Sequence, residues 1–176
     1  MNTRPVLAID PGPERSGWVL FDGRRVRRGS PDEDNGSLLD LSITETVFGR
    51  TPVAIEWIQS YGMAVGRDVF ETCYWVGRFA QAVHDVDVTR IPRRDIKLHL
   101  CGTARARDTN VRQALIDRFG GSGGRKAAVG TKAAPGPLYG VKSHMWSALA
   151  LAVTYWDQYV ASDTGDDVDS VDSTAS

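Results

Sequence analysis

A chain of 176 residues, 41% hydrophobic and 24% charged, can bury a core without disulfides or structural metal and is expected to fold as one domain. Its two cysteines, Cys73 and Cys101, form no CxxC and no Cys/His ligand set, and neither a basic-then-apolar leader nor an apolar run of the roughly 18 residues that span a bilayer occurs, so the reading is a cytoplasmic protein with reduced thiols and no membrane segment. The net charge of −1 hides an asymmetry: residues 162–176 carry five Asp and no Lys or Arg, which leaves residues 1–161 at +4, and residues 90–132 hold eleven basic groups against three acidic ones.

In chain order, residues 5–10, 16–22 and 25–29 read as three short meandering strands, the last two joined across Asp22-Gly23, a favoured hairpin pair. Residues 31–36 read as a polar loop, Ser37 as the cap of a helix reaching about Phe48, and residues 52–57 as a buried strand. Helical spacing resumes near Asp68, with Val69, Cys73, Val76, Phe79, Ala80 and Val83 on one face, and ends by His84-Asp85. Val86 to Ile91 reads as a strand stopped by Pro92. A short basic helix is expected from Arg94 to Leu100, then a helix capped by Asp108 or Thr109, ending near Phe119 with Gly120 as its stop. The Gly/Ala/Lys-rich stretch 120–140 reads as a mobile loop. The last helix is expected over 141–159, its apolar face formed by Trp146, Leu149, Ala150, Val153 and Trp156. This yields a folded unit over residues 1–161 and a disordered acidic tail over 162–176.

The chemistry is carried first by Asp10. It follows the apolar run Val6-Leu7-Ala8-Ile9 and precedes Pro11-Gly12, which stop the strand and project the acid from the rim of a sheet. Alone it reads equally well as a turn-initiating Asp. A second short apolar run, Pro52-Val53-Ala54-Ile55, again ends in an acid, Glu56, and two strands ending in carboxylates suggest a shared cation site. The arginine-rich stretch 90–132 favours a polyanionic partner, because guanidinium groups grip phosphate bidentately. The cluster Arg24, Arg25, Arg27 and Arg28 falls in a hairpin turn and edge strand, where charge guards against edge pairing. Asp68 and Glu71 near a helix start, and His84 and His99 without partner spacing, read as structural or surface residues.

The order of three meandering strands, helix, strand, helix, strand and helices is that of the ribonuclease H-like fold, an α/β architecture. It has a mixed five-stranded sheet, a three-stranded antiparallel meander plus two parallel strands, flanked by helices. Within that order, Leu7-Ala8-Ile9-Asp10-Pro11-Gly12 followed by Ser16-Gly17-Trp18-Val19 resembles the first hairpin of RuvC-type Holliday junction resolvases. Ala54-Ile55-Glu56 is similar to that family's second acidic strand, and Arg93-Arg94-Asp95-Ile96-Lys97, the helix Asn110 to Phe119, and Ser147-Ala148-Leu149-Ala150-Leu151-Ala152 resemble its later segments.

The resemblance implies a structure-selective endonuclease that cuts branched DNA with two Mg2+ or Mn2+ ions per active site, and a two-fold symmetric homodimer that makes two coordinated cuts. It assigns Asp10 and Glu56 to the first two metal-binding carboxylates, with His144 and Ser147 at the two last-helix ligand positions. Serine at the second of these departs from the family's acid, and a hydroxyl binds such ions mainly through water, so a weakened second metal site is expected. His144 is the alternative general base. Tyr61 and Arg67 in the loop after Glu56, with Arg93, Arg94, Lys97, Arg125, Lys126, Lys132 and Lys142, are the expected nucleic-acid contacts. The helix over 68–83, with Phe70, Tyr74 and Trp75 beside its apolar face, is the expected dimer interface. Three alternatives stay open: a related nuclease acting on RNA or hybrid, a catalytically attenuated junction-binding protein, and, ranked last on length, a sugar-kinase or actin-like ATPase.

Overall fold

The computed structural model describes residues 4–60, 62, 64–83 and 86–161. Five strands, β1 (Val6–Asp10), β2 (Arg15–Phe21), β3 (Val26–Asp34), β4 (Val53–Trp57) and β5 (Val88–Pro92), form one sheet in the order β3-β2-β1-β4-β5. The β3-β2-β1 part is an antiparallel meander, and β1-β4-β5 is parallel. The helices are α1 (Asn35–Gly49), α2 (Arg67–Ala82), α3 (Arg93–Cys101), α4 (Asp108–Gly120), α5 (Gly124–Val129) and α6 (Met145–Tyr155), the last continued by a π-helical turn over Trp156–Val160.

Side-chain alternation sorts the strands into two cores. Leu7, Ile9, Leu20, Val53 and Ile55 face α1 and α2, packing on Leu38, Val76 and Phe79. Val6, Ala8, Val19, Phe21 and Ala54 face the opposite layer, where α3, α4 and α6 contribute Ile96, Leu115 and Leu149. Every residue of α6 from Ala148 to Tyr155 is buried, as expected of a helix that is apolar all round and lies across the middle of a sheet. Among the described residues no helix is long and apolar enough to cross a membrane.

Several boundaries differ from the sequence reading. The expected loop at 31–36 is instead the second half of β3, which runs to Asp34 and pairs Arg15 with Asp34 and Ser16 with Glu33. Its polar composition reads as a loop because an edge strand has little to bury; Pro31 is tolerated there since no outer neighbour needs its N–H. Asp34, and not Ser37, caps α1: its carboxylate accepts the Ser37 N–H at 3.0 Å. The stretch 120–140 is ordered, with α5 held by fully buried Ala128 and Leu138. The last helix starts only at Met145, because Ser143 adopts φ 44°, a left-handed conformation that interrupts the helix. On α2 the buried stripe is Thr72, Val76 and Phe79, while Cys73 is exposed. The expected tail at 162–176 and the helix end at His84-Asp85 lie outside the described residues.

Candidate active site

In-register parallel pairing of Ile9 with Ile55 brings the ends of β1 and β4 side by side. Because both isoleucines point toward α1 and α2, the next residues, Asp10 and Glu56, point to the other face, under the start of α6. There His144 Nδ1 lies 3.3 Å from Asp10 Oδ2, and the Ser147 hydroxyl also hydrogen-bonds the Asp10 carboxylate. The one-turn spacing of His144 and Ser147 is what directs both at the same acid.

Two devices seat these groups. Gly17, opposite Asp10 in the β1-β2 ladder, has no side chain where a Cβ would fall 2.6 Å from the His144 Cβ, so α6 can begin directly against the sheet. A buried polar network then pins the Asp10-Pro11-Gly12 turn. Ser16 Oγ donates to Asn35 Oδ1 at 2.6 Å and accepts the Gly12 N–H at 3.2 Å, while Asn35 Nδ2 donates to the Gly12 carbonyl at 3.0 Å. Sequence reading missed Asn35, since nothing in the polar run 31–36 marks it as the one amide the fold buries.

Arg93 completes the site. Its Nη1 donates to Glu56 Oε2 at 3.0 Å and its Nη2 to Asp108 Oδ1 at 2.7 Å, while Lys97 Nζ lies 3.4 Å from the same Asp108 oxygen. Burial pushes Glu56 up to about 7; the Asp10 charge adds to the rise and the Arg93 guanidinium opposes it. Burial likewise raises Asp10, against the pull of His144 and Arg93 and the hydrogen bonds from His144 and Ser147. Asp108 is held low, chiefly by the Arg93 hydrogen bond. Two adjoining carboxylates, both resisting ionisation, form a pocket short of positive charge, and Arg93 supplies only part of it.

The donor set suits a hard divalent cation, which commonly takes one or two carboxylates and keeps several waters. Asp10 and Glu56 meet that need. Among the described residues no three His, Cys, Asp or Glu side chains converge as a ready-made cage. The cleft beside Asp10, about 370 Å³, is lined by Gly12, Arg15, Asp68, Thr72 and His144, which brings Asp68, read from sequence as structural, to the rim of the site.

The expected nucleic-acid contacts divide by position. Arg93 pairs with Glu56 and Asp108 and Lys97 with Asp108, and the two side chains are only 24% and 21% exposed. Arg94 is exposed on α3, and Arg67, 3.6 Å from Glu71, is exposed at the start of α2. Arg125 and Lys126 do not flank the carboxylates. Helix α4 starts with Asp108 on Arg93 and ends with Phe119 edge-on to Phe21, carrying the chain toward the opposite end of the sheet before α5 begins. Lys132 and Lys142 are exposed, and Lys142 sits two residues before His144. Tyr61 lies outside the described residues. His99, read as a surface residue without a partner, hydrogen-bonds Asp157 at 2.8 Å, and Arg118 clamps the same carboxylate at 2.6 Å.

No protein-family model and no curated protein matches the chain. Solved structures that share its fold include two of RuvC. A Thermus thermophilus RuvC structure is 20% identical, with a TM-score of 0.60 over 86% of this chain and 92% of that one. T. thermophilus RuvC in complex with Holliday junction substrate is 22% identical, with a TM-score of 0.57 and the same coverage. The mixed five-stranded sheet with flanking helices is therefore the fold of this chain.

Proposed function

We propose that the chain is a divalent-metal-dependent, structure-selective endonuclease that hydrolyses phosphodiester bonds in branched DNA, with the four-way junction as substrate. The observation that carries this reading is the pair Asp10 and Glu56, two buried carboxylates on adjoining strand ends whose charge is under-compensated. The likeness to a protein solved with a Holliday junction substrate supports the choice of DNA geometry.

Asp10 and Glu56 would hold magnesium or manganese, with His144 and Ser147 contributing through Asp10 or through water. Bound there, such ions supply a nucleophilic water at neutral pH and stabilise the departing oxygen. Glu56, with its pKa near neutrality, gives up its proton when the pocket gains positive charge. His144, two-thirds exposed and 3.3 Å from Asp10, is placed to take a proton from the attacking water. Arg93 steers Glu56 and adds positive charge beside the phosphate. The exposed aromatic side of α2, with Phe70 65% and Tyr74 59% accessible, would form a two-fold dimer that sets two sites on one junction.

A second reading has its own observation. Ser147 stands where a fourth acid would complete the donor set, which fits a junction-binding protein with attenuated cleavage. Incubating the protein and Asp10→Asn with labelled junction, duplex, RNA-DNA hybrid and single strand, in magnesium, manganese or chelator, separates these. Symmetric metal-dependent nicks on the junction alone, lost in Asp10→Asn, are expected. Junction binding without any cut would replace the nuclease by the attenuated binder, and cutting of hybrid alone would replace DNA by RNA.

A further inference from the structure

The arginine cluster of the β2-β3 hairpin lies outside the candidate active site. Asp22, 9% exposed, accepts the N–H groups of Arg24 at 2.9 Å and Arg25 at 2.8 Å and pairs with the Arg27 guanidinium. The one acid of the turn is thereby consumed by backbone and by Arg27, and Arg28 is taken by Glu45 at 3.2 Å. Among the described residues no carboxylate pairs with the side chains of Arg24 or Arg25. These two side chains line an open groove of about 780 Å³ together with Pro135, Pro137 and Tyr139. The Val26 N–H donates to the Pro137 carbonyl at 3.4 Å, which ties the two walls together, and the Tyr139 ring is 45% exposed. An open groove with two guanidinium groups that no carboxylate pairs and an accessible aromatic ring has the chemistry of a site for a phosphodiester strand.

Its place in the fold sets it apart from the carboxylates. Along β2, Gly17 abuts His144 and Phe21 ends beside the hairpin, a separation of about 14 Å at 3.4 Å per residue. In the chain, Tyr139 of the pocket lining is five residues before His144, with Lys142 exposed between them. We propose that the Arg24/Arg25/Tyr139 pocket is a second phosphate subsite, which holds the backbone of the bound DNA beyond the end of β2 farther from Asp10. This rests on the nucleic-acid reading above and adds to it a contact at the other end of β2 from the carboxylates.

One other polyanion competes for the pocket. Trp156, the first residue of the last helical turn, packs on Gly23, where an added Cβ would fall 2.3 Å from its ring, and residues 162–176 after that turn carry five Asp. The test uses labelled four-way junction in chelator and measures affinity against salt for the full chain, for Arg24→Ala/Arg25→Ala and for both proteins ended at Ala161. Asp22 touches only the backbone N–H groups of these arginines, so the turn is kept, and an unchanged thermal midpoint checks it. The double variant is expected to bind about tenfold more weakly near 0.1 M salt, with a salt slope smaller by about two. Backbone amide exchange over 24–26 and 137–139 is expected to slow when junction binds.

Unchanged affinity and slope in the double variant, with the full chain still binding, would overturn the subsite alone. Absence of any junction binding by the full chain would overturn the nucleic-acid reading and the subsite with it. Truncation that tightens binding only when Arg24 and Arg25 are present, with no loss in the full-length double variant, would assign the pocket to the acidic segment and also overturn the proposal.

Discussion

Replacing Glu56 by Gln should remove a large part of the pH dependence of folding stability. The Glu56 carboxyl titrates near 7 in the folded chain against an ordinary value of 4.5, so between those values the folded state binds the extra proton. Its stabilising contribution is intact below pH 4.5 and is lost as pH rises through 7, a total of about 3 kcal/mol, since each tenfold gain in proton affinity on folding is worth about 1.4 kcal/mol. Most of that falls between pH 5 and pH 8. The side chain is only 13% exposed, so solvent screening removes little of it. Urea unfolding followed by the fluorescence of the five tryptophans, in chelator at both pH values, measures the difference. The wild-type chain should lose about 2 to 3 kcal/mol more than Glu56→Gln on going from pH 5 to pH 8. Magnesium added at pH 8 should return stability to the wild type and not to the variant, since only the wild type offers two carboxylates. Equal pH dependence in the two proteins would refute the claim that burial and Asp10 hold Glu56 in its protonated form.

Two further outcomes are expected. Gly17→Ala places a methyl 2.6 Å from the His144 Cβ, so α6 must shift; a loss of about 1 to 3 kcal/mol in urea unfolding and a larger proportional loss of junction cleavage should follow. Ser147→Asp, which adds an acid one turn after His144, should increase magnesium-dependent cleavage and magnesium affinity. A cleavage rate equal to or below wild type would show that the serine is not what limits the site.

Much of the fold was legible because local rules and tertiary packing agree. The apolar runs ending in Asp10 and Glu56 are strands because each is short, continuous and closed by a breaker or by a loop, and Asp22-Gly23 turns the chain as its composition requires, with Gly23 at φ 85°. The errors fall where packing overrides composition. The outer half of β3 is charged and carries Pro31, yet it pairs with β2 because its backbone, not its side chains, makes the contact. The Gly/Ala-rich stretch after Gly120 is ordered because Ala128 and Leu138 find a core that no periodicity announces.

For the site, the sequence by itself determined which residues could be acids at strand ends and which two lie one helical turn apart, since strand termination and helical spacing are short-range properties. Only the tertiary structure decided that Asp10 and Glu56 adjoin on one face, because that depends on the parallel register of β1 and β4 across more than 40 residues of chain. It also made Arg93 the partner of Glu56, and carried α5, with Arg125 and Lys126, toward the far end of the sheet. A charge run shows how much positive charge a segment carries; where each charge is spent follows from which acids the fold brings within reach.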